Sequence, residues 1–211
     1  MTTPNPANVP AITNAQMSEF DYYLFIDMSG SMGGPRRAGS SLTRWSYVQE
    51  AAAAGARQLA GIDDDGLTLL FFNSGVQVHN GVKTPERVNE LFTTIQPGGG
   101  TALLPALKAA EAIRAGSKKK SFYLIYTDGE ANDSAELPAF ITGLANSIDT
   151  DDRLSIQFIQ VGDDKDATKM LEKLDDDLPK LGAKFDIVNT MKDIDADGLT
   201  LGQLVYLGQN D

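Results

Sequence analysis

The sequence predicts an α/β fold: a doubly wound, mostly parallel sheet with one antiparallel edge strand and helices on both faces. Three observations predict it. The runs Tyr22–Ile26, Gly66–Asn73 (GLTLLFFN) and Ser121–Thr127 (SFYLIYT) are continuously apolar or aromatic with little alternation, the pattern of strands buried on both faces of a parallel sheet. Segments of helical period separate most of these runs, which is the order of a Rossmann-like α/β domain. Only Asn73-Ser74-Gly75 divides the second run from Val76–Val82 (VQVHNGV), a spacing that suits a hairpin and hence one antiparallel edge. A length of 211 residues fits one domain with a sizeable core.

In chain order, Met1–Ser18 carries Pro4, Pro6 and Pro10 among Thr, Asn and Ala and reads as a mobile tail; the domain is expected over residues 19–211. The first strand, about Tyr22–Asp27, is followed by GGPRRAGSSLTRW and then a helix over Thr43–Ala60, whose alanine run suits close packing on a sheet. After a turn at Asp63–Gly66 come the second strand and the alternating edge strand. Pro85–Thr94 reads as a short helix with Val88, Leu91, Phe92 and Ile95 on one face. Leu103–Ala115 is a helix stopped by Gly116, and Lys118–Lys120 a solvated turn at the amino end of the strands. Helices over Ala135–Ile148 and Ala167–Leu174 flank a strand at Arg153–Val161. Phe185–Val188 is read as a short last strand and Ile194–Tyr206 as a closing helix. No internal repeat and no composition shift marks a second domain.

Composition narrows the class. Hydrophobic content of 42% and charged content of 22% are those of a globular protein. The formal net charge of −11 argues against nucleic acid and anionic membrane as partners, since both require a basic surface. With no cysteine and a single histidine, His79, thiolate metal sites are excluded and a histidine cluster or Ser/His/Asp triad is hard to build. Met1–Ala15 lacks the basic segment and apolar core of a secretory signal, and no run approaches the ~20 apolar residues of a membrane span. A cytoplasmic location is expected, with signal-independent export left open.

Chemistry concentrates at the carboxyl ends of strands, where open α/β sheets bind ligands. Asp27, Ser29 and Ser31 alternate directly after the first strand, with Gly30, Gly33 and Gly34 relaxing the backbone. Thr101 follows the glycine-rich QPGGG turn, and Asp128 ends the strand Ser121–Thr127. These are all hard oxygen donors, the set that suits Mg²⁺, with Mn²⁺ or Ca²⁺ as alternatives. Hydroxyls are neutral ligands, so the ion would keep positive charge and attract an anionic oxygen from outside, most naturally a carboxylate.

DMSGS, the isolated Thr101 and the YTDGE segment together resemble the metal-ion-dependent adhesion site of a von Willebrand factor A domain, of the bacterial stand-alone type. That family's pattern of Asp-x-Ser-x-Ser, a distant Thr and a distant Asp falls on Asp27, Ser29, Ser31, Thr101 and Asp128 without departure. The strand and helix order fits over about Glu19 to Tyr206. The resemblance implies that the serines and the threonine bind the metal directly, that the aspartates often act through water, and that a partner protein donates Glu or Asp as the last ligand. It implies a non-enzymatic interaction module: an intracellular adaptor of the AAA+ ATPase-associated or stress-response type, or alternatively an adhesin or matrix-binding module. The closing helix is a candidate for movement when the metal shell changes.

Other patterns compete. A buried strand ending in Asp27 and a later strand ending in Thr127 resemble a haloacid-dehalogenase-type phosphotransferase with Asp27 as nucleophile, but that family needs a second Asp two residues on, where this chain has Ser29, and Gly162-Asp163 with Asp166 is too tightly spaced for its last motif. Neither dinucleotide nor phosphate-loop glycine motif follows the first strand. Asp193-Ile-Asp195-Ala-Asp197-Gly198 begins like a calcium loop, but its twelfth position is Leu204 in place of Glu; acids at a helix N-terminus explain it as well. His79 reads as exposed and Trp45 as core. Arg36, Arg37 and Arg44 follow the metal loop and either rim the site with positive charge, favouring an acidic partner, or belong to a solvated loop.

Overall fold

A computed structural model describes residues 5–129 and 131–210. One six-stranded sheet runs through the molecule in the order β3-β2-β1-β4-β5-β6, made of β1 (Phe20–Asp27), β2 (Leu67–Phe72), β3 (Val76–Val82), β4 (Lys120–Thr127), β5 (Leu154–Gln160) and β6 (Val188–Lys192). Neighbours pair in parallel except β2 with β3. The expected doubly wound sheet with one antiparallel edge strand is therefore present. At the hairpin, the Gly75 amide donates to Asn73 Oδ1 at 3.0 Å.

The unbroken apolar run of β1 follows from burial on both faces. Tyr22, Leu24 and Ile26 point into a core shared with α2 (Arg44–Leu59), α3 (Pro85–Thr94) and α8 (Leu201–Gln209), while Tyr23 and Phe25 point into a second core with α4 (Leu104–Arg114), α5 (Leu137–Ser147) and α6 (Lys165–Asp176). Ala52, Ala53 and Ala56 give α2 a small-residue face buried against the sheet. Trp45 is core, its ring centroid 4.5 Å from that of Phe92. His79 is half-buried against the edge of Phe71. The strand order turns back at β1 and β4, so the crevice between their carboxyl ends is the topological switch point. Among the described residues no helix is long and apolar enough to cross a membrane.

Four regions differ from expectation. Over residues 5–18 the predicted mobile tail is instead a 3-10 turn, Pro6–Asn8, and helix α1, Asn14–Met17. They lie along α8, with the Ile12 amide donating to the Gly202 carbonyl at 3.2 Å; residues 1–4 of that tail lie outside the described residues. Lys118–Lys120 is not simply solvated: Lys119 Nζ sits 2.7 Å from Asp63 Oδ1 and 2.6 Å from Asp65 Oδ2. The last strand is Val188–Lys192, later than Phe185–Val188, because the pairing partner Ile156 meets Val188 and the strand runs on into polar residues. Its outer edge is blunted by Asp175, whose Oδ2 accepts from the Thr190 amide at 3.1 Å. The closing helix is broken: α7 (Asp193–Ala196) stops before Gly198, whose φ of 81° favours glycine, and α8 restarts behind a Thr200–Gln203 capping box.

Candidate functional site

Asp27 is the last residue of β1 and fully buried. Its Oδ1 accepts from the Ser29 amide at 2.8 Å and its Oδ2 from the hydroxyl of Thr127, the last residue of β4, at 2.8 Å. Burial pushes its carboxyl up to about 6, against the opposing pull of the Ser29 and Thr127 hydrogen bonds. Ser29 opens a 3-10 turn over Gly30–Gly33, which carries Ser31 back towards it. Ser29 Oγ and Ser31 Oγ lie 3.0 Å apart, and Ser31 Oγ donates to Asp128 Oδ1 at 2.9 Å. Ser29, Ser31 and Asp128 thus form one hydrogen-bonded chain of oxygens at the switch point, and Asp27 joins it through the Ser29 amide.

Thr101 reaches the same edge on a separate loop. The Gly98 amide donates to the Met28 carbonyl at 2.7 Å and the Gly30 amide to the Gly99 carbonyl at 3.3 Å, which ties the two loops together. Among the described residues no hydrogen bond joins the Thr101 hydroxyl to the other four. Its backbone is held by Asn132, whose Oδ1 accepts from the Thr101 amide at 2.7 Å and whose amide donates to the Thr101 carbonyl at 2.6 Å. A Cβ on Gly100 would stand 2.7 Å from Asn132 Oδ1, so a side chain there would displace the Asn132 side-chain amide that holds Thr101. Asp133 adds a cap, accepting from the Leu103 and Leu104 amides at the start of α4.

The three arginines divide. Arg44 reaches the site: its Nη1 donates to Asp128 Oδ2 at 2.6 Å and to the Ser31 carbonyl at 3.2 Å. Arg36 and Arg37 turn away to Asp193 and Asp197, so the acids that begin like a calcium loop are engaged by arginine. Asn132 and Asp133 are positioning residues that sequence patterns do not single out, because their partners lie tens of residues away; Thr127, which the competing phosphotransferase pattern names as a strand end, here positions Asp27. The nearest sequence signal is the Asn-Asp pair soon after Asp128. Glu130, the end of the YTDGE segment, and Asp211 lie outside the described residues. Among the described residues no group of three or more His, Cys, Asp or Glu gathers that could hold a metal; this site has two carboxylates, and its other donors are hydroxyls.

A switch-point crevice lined by an Asp-x-Ser-x-Ser loop and a second strand-terminal Asp defines a class of α/β interaction domain. The chain belongs to the von Willebrand factor type A domain family, whose model matches residues 22–130. Among solved structures it is similar to an aerotolerance-related membrane protein from Bacteroides fragilis, with 13% identity over 90% of this chain and 98% of that one and a TM-score of 0.60. It is similar to the SpRpn10 VWA domain, with 10% identity over 88% and 93% and a TM-score of 0.58, and to the PilB minor pilin from Streptococcus sanguinis, with 10% identity over 91% and 60% and a TM-score of 0.57. The chain spans 38% of the matched vWF-domain structure of the pilus tip protein Mfa5 from Porphyromonas gingivalis. No curated protein matches it. At these identities the likeness is one of fold.

Proposed function

We propose that this chain is a metal-dependent protein-interaction module, in which Asp27, Ser29, Ser31, Thr101 and Asp128 hold Mg²⁺, or Mn²⁺ or Ca²⁺ in its place, and a partner protein supplies Glu or Asp. The observation that carries the proposal is the gathering of the Ser29, Ser31 and Asp128 oxygens, with Asp27 behind them, at one switch point. A magnesium shell with bonds of 2.0–2.1 Å has neighbouring oxygens about 3 Å apart, and the pairs Ser29–Ser31 and Ser31–Asp128 stand at 3.0 and 2.9 Å. When bound, the ion supplies a Lewis-acidic position open to an anionic oxygen. Asp27 orients the turn through the Ser29 amide, Thr127 fixes the Asp27 carboxylate, and Asn132 sets the loop of Thr101 beside them.

The proposal is of recognition and not catalysis, since Ser29 stands where a phosphotransferase of the competing type needs its acid. An intracellular adaptor is the version favoured by the missing cysteines. A surface adhesin is the second version, and the pilin among the structural neighbours keeps it in play. Capture from native lysate with Mg²⁺, with EDTA and with Ser29→Ala/Asp128→Ala tests the proposal. A partner retained only with metal and intact residues is the expected result, and its cellular fraction separates adaptor from adhesin. A partner retained equally in all three conditions would place recognition elsewhere on the surface, and phosphate release lost in Asp27→Asn would make the chain an enzyme.

A further inference from the structure

Arg44 is the one cation hydrogen-bonded to the candidate ligands among the described residues, and it is seated there by construction. It is the first residue of α2, behind the Thr43 cap. Its side chain is 24% exposed, and that of Asp128 is 1% exposed. Nη1 spans Asp128 Oδ2 and the Ser31 carbonyl at 2.6 and 3.2 Å. The Arg44 guanidinium lies against the backbone of Gly162, at the end of β5, where a Cβ would stand 3.0 Å from Nε. Gly162 has a φ of 92°, so both its conformation and its lack of a side chain make room for Arg44. Nε itself is buried without a hydrogen-bond partner, and Nη2 makes no hydrogen bond among the described residues. A donor left so is a standing cost, which suggests that the guanidinium serves more than the packing of this loop.

Charge says what it serves. Asp27 and Asp128 with Arg44 leave one negative charge. A divalent ion turns that into one positive charge on a chain whose net charge is −11. Without Arg44 the loaded site would be neutral, and only the open coordination position of the ion would draw an anion against that background. Resting on the metal-centre reading above, we propose that Arg44 is the specificity-determining residue of the site. It is a tethered cation that competes with the divalent ion for Asp128 and gives the loaded site the unbalanced positive charge that selects a carboxylate. Arg44 thus weakens metal uptake and strengthens anion capture.

The two effects have opposite signs, and a merely structural arginine would not give that pattern. The experiment compares wild type, Arg44→Gln and Arg44→Lys, each shown to be folded by circular dichroism. Mg²⁺ affinity is read by titration calorimetry. Acetate affinity of the Mn²⁺-loaded protein is read by water-proton relaxation at constant ionic strength. Arg44→Gln is expected to bind Mg²⁺ about tenfold more tightly and acetate about tenfold more weakly, with Arg44→Lys close to wild type in both. Equal Mg²⁺ affinity in wild type and Arg44→Gln, or a loss of both affinities in Arg44→Gln, overturns the role of Arg44 and leaves the metal centre standing. If Arg44→Gln does not fold, Arg44→Lys carries the test: acetate binding lost despite its retained charge overturns the proposal. No uptake of metal by any of the three proteins overturns the metal centre and this inference together.

Discussion

Asp27 is a fully buried carboxyl group at the end of a strand, and its protonation couples the site to folding. Its ordinary value of 3.8 is raised to about 6 in the folded protein by burial, so between those values the folded chain holds a proton that the unfolded chain has released. A group of this kind contributes stability that is fully present below the unfolded value and is lost as pH rises through the folded one. The difference corresponds to roughly 3 kcal/mol. Stability of the metal-free protein is therefore expected to fall between about pH 4 and pH 6.5, and Asp27→Asn, which cannot ionise, should flatten that fall. Urea denaturation at pH 4.5, 5.5 and 6.5 measures it, and an unchanged slope in Asp27→Asn would assign the dependence to another group. At this scale the clustering of Asp27, Ser29 and Ser31 was legible because oxygen side chains alternating after a buried strand are a local pattern, and Asp128 because it ends another buried run. Thr127 was legible only as the end of a strand, since the bond from its hydroxyl to Asp27 spans 100 residues.

Among elements, the connection that follows the Asp27–Ser31 loop does more than join β1 to α2. Pro35 and Thr43 pair across its neck, and Arg36 stacks on the Tyr47 ring at 3.7 Å. Arg36 then pairs with the buried Asp193 carboxylate through Nε, and with Asp197 Oδ1 at 2.7 Å through Nη2. The loop is thereby fastened to α7, the first half of the broken closing segment. Arg36→Met leaves Asp193 buried with only the longer Arg37 contact at 3.6 Å. Stranding a buried charge should cost roughly 3 kcal/mol, measured as the urea midpoint at constant slope. A loss below about 1 kcal/mol would mean the pair behaves like a surface ion pair. Neither half was readable alone: the arginines look like a rim and the acids like a helix start or calcium loop, and their pairing exists only once β6 lies in the sheet. The break in the closing helix was closer to legible, since Asp197-Gly198 is a stop and Thr200-x-x-Gln203 a capping box. The apolar period running through both pieces hid it. The last strand was misplaced for the converse reason: apolar runs find Phe185–Val188, whereas Asn189, Thr190 and Lys192 are strand residues only because an edge strand tolerates polar ones.

Across the whole molecule, the two ends of the described chain are held to each other at one side chain. Gln203 completes the α8 capping box, its Oε1 accepting from the Thr200 amide at 2.8 Å, while its Nε2 donates to the carbonyls of Pro6 at 2.7 Å and Val9 at 2.9 Å. Met17 is buried beside Gly202, so residues 5–18 lie across α8 as a strap. The composition of this segment predicts mobility because it lacks apolar period, yet what anchors it is mainly backbone carbonyls, which every sequence possesses. The strap bears on any movement of α8, since displacement of that helix has to break the Gln203 bonds and the bond from the Ile12 amide to the Gly202 carbonyl. Gln203→Ala leaves the Thr200 cap on the Gln203 amide but removes the reciprocal half of the capping box and both strap bonds together, a loss of about 1–2 kcal/mol. Its expected signature is local: hydrogen exchange should quicken across residues 5–18 and the first turn of α8, with β1, β4 and β5 unchanged. Exchange that quickens through the sheet as well would make the strap part of the cooperative core, and exchange unchanged over residues 5–18 would shift the anchoring to Met17 and its apolar contacts.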